Sequence, residues 1–223
     1  MISPSLVCSS CRDYIAFIVT GSTEYHGGCL PLSIDTLVAM KLLDGFLERF
    51  KDDDKLCVIR LPPIYYGYSI EWSSYVDTLS ISYDTLYSIL YQIYCSLEKI
   101  KGFRGLVIVN GHGGNKSVLE ILAREITWGR NSRVVVVDIW SIAKRLGLEY
   151  CHACVFEVEL AKKLGLNVYG RGYSGGEGLS MVRDSYAYTP YPPKPGSKGS
   201  TPSVDEFIKL FYNVLEETVE TLL

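Results

Sequence analysis

The chain reads as an α/β protein: a mostly parallel sheet with helices on both faces, in one domain spanning residues 1–223. Three observations lead there. Strand-like and helix-like patterns alternate through most of the chain, and that alternation builds parallel sheets. The run Leu106-Val107-Ile108-Val109 is short, apolar and β-branched, which suits a strand covered on both faces. A chain of 223 residues buries one sizeable core without splitting.

Residues 1–12 read as a loose lead-in and 14–20 as the first strand. The turn Gly21-Ser22-Thr23-Glu24-Tyr25-His26-Gly27-Gly28 follows it. Asp35 stands where it would cap a helix over 36–50, whose Leu37, Met40, Leu43, Leu47 and Phe50 recur at helical spacing. The charged residues 51–55 make a turn, and 56–61 a second strand stopped by Pro62-Pro63. Residues 64–80, rich in Tyr and Ser, form a loop long enough to be functional. A helix over 83–101 leads to the central strand, which runs into Asn110-Gly111-His112-Gly113-Gly114-Asn115. Its glycines let the backbone bend, and Asn115 is placed to cap the next helix, 116–128. A strand over 133–140 and a helix over 153–164 follow. Residues 165–202 are rich in Gly, Pro, Ser and Tyr, with Pro-Tyr-Pro-Pro-Lys-Pro-Gly at 190–196. They fit a lid, an oligomer contact or a loose loop. An amphipathic helix over 204–223 closes the chain.

Hydrophobic residues make up 48% and charged ones 21%, an ordinary soluble composition. A net charge of -3, with no block of Lys or Arg, argues against a nucleic-acid partner. The apolar run 14–20 is too short for a signal peptide and lacks a basic region before it. Nothing approaches the ~20 apolar residues of a membrane span. The expectation is a cytoplasmic protein with no membrane partner. Four of the seven cysteines form two C-x-x-C pairs, Cys8/Cys11 and Cys151/Cys154. A four-cysteine zinc site is conceivable. The pairs sit in separate, differently shaped segments, so packing or disulfides of the thermophile kind read better.

The chain has only three histidines, His26, His112 and His152, each in a turn flanked by Gly or Ala. Glu24 and His26 stand two apart in an extended turn, hence on one side. Asp35 follows at a helix start, and His112 comes from a second strand end. Open parallel sheets bind ligands at such carboxyl ends. Two imidazoles and two carboxylates converging there suit zinc, manganese or iron, with Asp35 the natural bridge between two ions. Glu157, one helical turn past His152, offers a further oxygen. His152 is placed to give a proton to a leaving nitrogen. The combination points to metal-assisted hydrolysis of an amide or related C–N bond.

These residues resemble a known family. Gly21-Ser-Thr-Glu-Tyr-His-Gly with Leu30-Pro31 and Asp35, then Asn110 to Asn115, then His152-Ala153 with Glu157, are similar to the creatininase family of metal-dependent amidohydrolases. The loop starting Pro62-Pro63-Ile64-Tyr65-Tyr66-Gly67 also looks like it. The likeness covers about residues 14–160, in order and in spacing. It implies a three-layer α/β/α sandwich, two divalent metal ions and a homo-oligomer, commonly a hexamer. Carried over by position, Glu24, His26, Asp35 and His112 match the metal ligands, with Asp35 bridging. His152 matches the histidine that shuttles the proton. Glu157 matches a glutamate that lines the site and reaches the second metal.

The chain departs from that pattern in four places. Gly114 stands where creatinine hydrolases carry a glutamate ligand, and Cys29 where a His usually precedes Leu-Pro. A loop that often ends in Glu-His ends in Glu71-Trp72, and a usual Gly-Thr is Asp77-Thr78. These point away from creatinine, toward another small cyclic or formylated nitrogen compound with a non-peptide C–N bond. The archaeal branch that deformylates a ribosylaminopyrimidine phosphate in riboflavin and deazaflavin biosynthesis is similar in length. A branch that trims a peptide in mycofactocin maturation fits less well.

Other readings are weaker. Asn115-Lys116-Ser117 looks like the tail of a phosphate loop, but such a loop needs Gly directly before the Lys and again five residues earlier, where this chain has Asn115 and Asn110. A metal-free scaffold or binding protein would be expected to have lost ligands, and all four primary ones are present. Taken singly, Glu24 would cap a turn, Cys29 would pack, and Glu157 would pair with Lys162 or Lys163 at the surface.

Overall fold

A computed structural model describes residues 12–50, 57–176 and 193–223. Its centre is a four-stranded, wholly parallel sheet of β1 (Tyr14–Thr20), β2 (Cys57–Arg60), β3 (Phe103–Asn110) and β4 (Arg133–Asp138), in the order β2-β1-β3-β4. Every residue of β1 is buried, as a strand covered on both faces requires. Ile15, Phe17 and Val19 face one apolar layer, built with α1 (Ile34–Leu47), α5 (Val155–Lys163) and α6 (Val204–Leu222). Ala16 and Ile18 face the other, built with α2 (Tyr83–Leu97) and α3 (Lys116–Thr127). The result is the expected three-layer α/β/α sandwich with a mostly parallel sheet.

The chain leaves neighbouring strands β1 and β3 in opposite directions, into α1 on one face and α3 on the other. That divergence opens a crevice at their carboxyl ends. The paired strands run in register to Thr20 opposite Asn110, so the segments beginning at Gly21 and Gly111 emerge side by side. A Cβ on Gly21 would lie 2.2 Å from Thr36 Oγ1, and one on Gly111 would lie 2.1 Å from the Asp35 carbonyl oxygen. Side chains there would push the start of α1 off the rim, so the two glycines let Asp35 sit between the strand ends.

Several element expectations change. Helix α1 begins at Ile34, with Ser33 as its N-cap residue. Asp35 is therefore in the first turn and is not the cap. The helix buries Ile34, Val38, Ala39, Leu42, Leu43 and Phe46, whereas Leu37, Met40 and Leu47 are only half-buried. Apolar residues occur on nearly every side of it, so spacing alone did not single out the inner face. Asn115 makes no side-chain cap to α3; a short 3-10 turn, Gly113–Asn115, precedes that helix, and the Asn115 side chain is engaged elsewhere.

The expected strand over 133–140 stops at Asp138, whose carboxylate accepts from Ser141 N at 2.7 Å and caps α4 (Ile139–Arg145). Beyond it lies an antiparallel pair that spacing did not reveal, β5 (Leu148–His152) with β6 (Gly196–Gly199). Strand β6 falls inside the expected loop 165–202. The rest of that loop from 177 to 192, the lead-in up to residue 11 with Cys8 and Cys11, and the turn 51–55 lie outside the described residues. Among the described residues no helix is long and apolar enough to cross a membrane.

Candidate metal centre

Every predicted site residue reaches one place, the crevice between β1 and β3. Glu24, His26, Asp35, His112, His152 and Glu157 are all buried, each 7% exposed or less. His112 Nδ1 lies 3.2 Å from Glu24 Oε1 and 3.1 Å from Asp35 Oδ2. His26 Nε2 lies 3.3 Å from Asp35 Oδ1 and 3.6 Å from Glu157 Oε1. Asp35 thus turns one oxygen to each of two ligand sets, Glu24/Asp35/His112 and His26/Asp35/Glu157. Ser22 Oγ donates to Asp35 Oδ2 at 2.6 Å and fixes the carboxylate.

The three imidazoles share one device. A carbonyl oxygen only accepts, so the ring nitrogen facing it must carry the proton. His26 Nδ1 donates to Glu24 O at 3.1 Å, His112 Nε2 to Tyr68 O at 2.9 Å, and His152 Nε2 to Tyr25 O at 2.7 Å. In each neutral ring the other nitrogen presents a lone pair to the crevice. Three backbone carbonyls therefore select three tautomers ready to bind a cation or a proton.

Among the described residues, three buried polar side-chain atoms lack a hydrogen-bond partner: Glu24 Oε2, His26 Nε2 and Thr36 Oγ1. Two of them belong to the ligand sets. A buried carboxylate oxygen and imidazole nitrogen left unpaired are costly. A divalent cation held by each set would remove that cost, so the donors present fit such ions.

The charges respond to this crowding. Burial works against imidazolium at His26, but Asp35 and Glu157 outweigh it and hold its pKa well above the usual value. Burial likewise opposes charge on His112, and Glu24 and Asp35 overcome it. Asp35 is buried too, yet His26 and His112 hold its carboxyl below the usual range. Glu157 goes the other way, pushed up by burial more than His26 pulls it down. At His152 burial, reinforced by His26, drives the pKa well below the ordinary histidine value.

Glu157 does not pair with Lys162 or Lys163 at the surface. Its Oε2 accepts from Ala153 N at 2.7 Å, while Lys162 meets Glu159 and Lys163 meets Asp205. Cys29 is buried with its thiol toward the carbonyls of His26 and Ala153, and it belongs to neither ligand set. Cys151 and Cys154 form a disulfide, which settles that pair against a zinc site.

Other functional side chains escaped the sequence reading. The crevice opens into a cavity of ≈ 750 Å³ walled by Ile70, Glu71, Trp72, Trp140 and Tyr150. Trp72 stacks on His152, ring centroids 3.6 Å apart and planes within 13°. The Tyr- and Ser-rich loop was expected to be functional, but not which residue would turn inward. Asn115 is what seats it: its Oδ1 accepts from Tyr68 N at 2.9 Å, and its Nδ2 donates to Gly21 O at 2.9 Å. Gly114 leaves the room, because a Cβ there would lie 2.2 Å from Tyr68 O and 2.8 Å from Glu71 Oε1.

Comparison with known proteins agrees with this fold. The family model described as creatininase, creatinine amidohydrolase, matches residues 8–164. A mycofactocin precursor peptide peptidase of Mycolicibacterium smegmatis (strain ATCC 700084 / mc(2)155) is 34% identical over 105 residues. That match spans 47% of this chain and 42% of the peptidase, so the chain spans less than half the length of this relative. A provisionally assigned creatinine amidohydrolase of Bacteroides fragilis NCTC 9343 superposes with a TM-score of 0.75 at 18% identity, covering 96% of this chain and 92% of that one. A Zn–Zn form of a creatininase variant gives 0.67 at 20% identity, covering 94% and 91%. At such identities the structures speak for the fold, and the family model carries the assignment: the chain belongs to the creatininase family of amidohydrolases.

Proposed function

We propose that this chain is a metal-dependent hydrolase that opens a non-peptide C–N amide bond in a small cyclic or formylated nitrogen compound. The observation that carries the reading is Asp35, whose two oxygens face His112 and His26 separately. Glu24, Asp35 and His112 would hold one divalent cation, and His26, Asp35 and Glu157 a second. Zinc, manganese and iron all accept such donors, and the Zn–Zn form of a similar creatininase supports zinc. Cations there supply a water acidified from pKa 15.7 toward ~7 and a polarised carbonyl.

The chain's own groups do the rest. His152 stays neutral in its buried seat, with Nδ1 free and 3.6 Å from Glu24 Oε1. It is set to take a proton from the attacking water and pass it to the leaving nitrogen. Trp72 holds the ring by stacking, and Tyr25 O holds its far nitrogen. A pocket of this volume is in the range of small-ligand sites. Gly114 stands where creatinine hydrolases carry a glutamate, and Trp72 where their loop carries a His, which supports a substrate other than creatinine. The formamide of a ribosylaminopyrimidine phosphate is the alternative we carry within this class.

A second reading is cleavage near the end of a peptide, and the 34% identical precursor-peptide peptidase favours it. A homo-oligomer, the hexamer that the resemblance implies, and a cytoplasmic setting belong to the same proposal. Exposed Val76, Ile70 and Leu79 on the cavity loop support an oligomer contact.

The test is metal analysis followed by assay against creatinine, the formylated pyrimidine phosphate and a peptide. Stoichiometric cations with formamide hydrolysis are expected. Peptide cleavage alone would shift the reading to the second one, and a protein binding no divalent cation would end both.

A further inference from the structure

The Cys151–Cys154 disulfide encloses two residues, His152 and Ala153. Ala153 has φ 51°, the one positive value among the described residues other than glycine. L residues rarely adopt that conformation, and it persists only where the surroundings impose it. Here two hydrogen bonds and one covalent ring impose it. Ala153 N donates to Glu157 Oε2, and Ala153 O accepts from Tyr173 N at 2.9 Å. On either side, Cys151 ends in the cavity wall, and Cys154 is fully buried as the N-cap residue of α5. The ring therefore ties the end of β5 to the start of α5. His152 and Glu157 belong to those two elements.

We propose that this disulfide is a positioning device for His152, so that the reaction depends on the thiol–disulfide state of the cavity wall. The proposal rests on the proton-shuttle role given above to His152. With the ring closed, Ala153 is kept left-handed, and His152 keeps Nε2 on Tyr25 O with Nδ1 toward Glu24. A dithiol entering the cavity exchanges with the disulfide. Cys151 and Cys154 each gain a proton and become thiols, and the dithiol leaves as its own disulfide. Ala153 is then free to relax to negative φ. That turns the peptide that binds Glu157 and swings His152 away from Tyr25 O. The Trp72 stack and the pairing of His152 with Gly196 hold the ring's plane and the strand, and only the two Ala153 hydrogen bonds are left to hold the turn.

The chain has three histidines, so each imidazole tautomer is readable by nitrogen-15 NMR and assignable by single substitution. The metal-loaded protein is compared before and after reduction by a water-soluble phosphine, and with the C151S/C154S variant. Expected is loss of the fixed Nε2–H signature of His152 alone, with His26 and His112 unchanged. In turnover, kcat should fall about ten- to a hundredfold at unchanged KM, since small misplacements cost that much. The same change made in the His152→Ala background should cost nothing further. A His152 signature indifferent to reduction, an unchanged kcat, or an equal loss without His152 would each overturn the proposal. Reduction also opens the disulfide of Cys57, so the double variant decides between the two; should C151S/C154S fail to fold, C151A/C154A takes its place. Should the oxidised chain hydrolyse none of the three substrates, the proposed function fails, and the NMR comparison still judges the positioning.

Discussion

The two sides of the candidate centre are built from different material. Glu24, Asp35 and His112 stand on the parallel sheet's rim, where strand register, glycine contacts and buried asparagines leave little freedom. Asn110 Nδ2 donates both to His112 O at 2.6 Å and to Asp138 Oδ2 at 2.7 Å, and Thr20 Oγ1 donates to Asn110 Oδ1 at 3.0 Å. His152 and Glu157 stand on an annex outside that sheet, a two-stranded pair and a helix joined by the strained turn at Ala153. The difference teaches a division of labour. In the proposed function the rim, shared by many strands, would fix most of the ligands; the annex, cross-linked locally, would present the group that moves protons and one further ligand, Glu157. Sites on regular elements hold geometry better than sites on loops.

The largest effect expected from breaking the comparison is at Asp35. Asp35→Ala removes the carboxylate shared by both ligand sets, so bound metal should fall toward zero and activity should vanish together. Metal analysis beside the assay checks it; two retained ions would show that Asp35 does not bridge. His152→Ala should behave differently. Metal content stays, while kcat drops by ~10²-fold or more, as expected for losing a proton-transfer group. If metal were lost with His152, the division between rim and annex would not hold.

A smaller effect is expected where the rim meets the cavity loop. Gly114→Ala places a Cβ 2.2 Å from Tyr68 O, the carbonyl that fixes the His112 tautomer. The loop must retreat, and a stability loss of ~1–3 kcal/mol is expected from such overpacking, together with weaker metal retention. Chemical denaturation and metal titration check the two parts. An unchanged chain would mean that the loop yields freely.

The rim was largely legible in the sequence, and the annex largely was not. A β-branched run ending in Gly-His-Gly-Gly declares both a strand end and a turn, and parallel sheets gather such ends at one edge. Asp35 was assigned correctly to the helix start but wrongly to its cap, because Ser33 and the polar first turn compete for that position over two residues. Glu157 was read as one helical turn past His152, whereas His152 ends β5 and Glu157 lies in α5. The strand carrying His152 was hidden because its partner lies 44 residues on, opposite a Gly-rich segment with no alternation to read. Trp72 and Glu71 turn inward because Asn115 holds the loop at Tyr68 N and because Gly114 leaves space. Those are contacts between distant segments, for which no local periodicity exists.

Acidity sharpens the comparison last and most gently. In the metal-free chain His26 and His112 have pKa values raised by the carboxylates around them, against burial. A group whose folded pKa exceeds its unfolded value contributes stability that is complete below the unfolded value, near 6.5, and fades as pH rises through the folded one. His152 has the opposite sign: burial lowers its pKa, so acid favours the unfolded chain, where it protonates freely. Raising pH above neutrality should therefore lower the melting temperature of the metal-free chain through the rim. The His152→Ala variant should follow the same alkaline decline but lose less stability as pH falls below the ordinary histidine range. Zinc reverses the alkaline trend, because it needs the two rim imidazoles neutral and expels their protons. Calorimetry in two buffers of different ionisation enthalpy should thus find protons released on zinc binding and an affinity that climbs with pH. Proton-neutral binding would mean that His26 and His112 are not the nitrogens zinc takes.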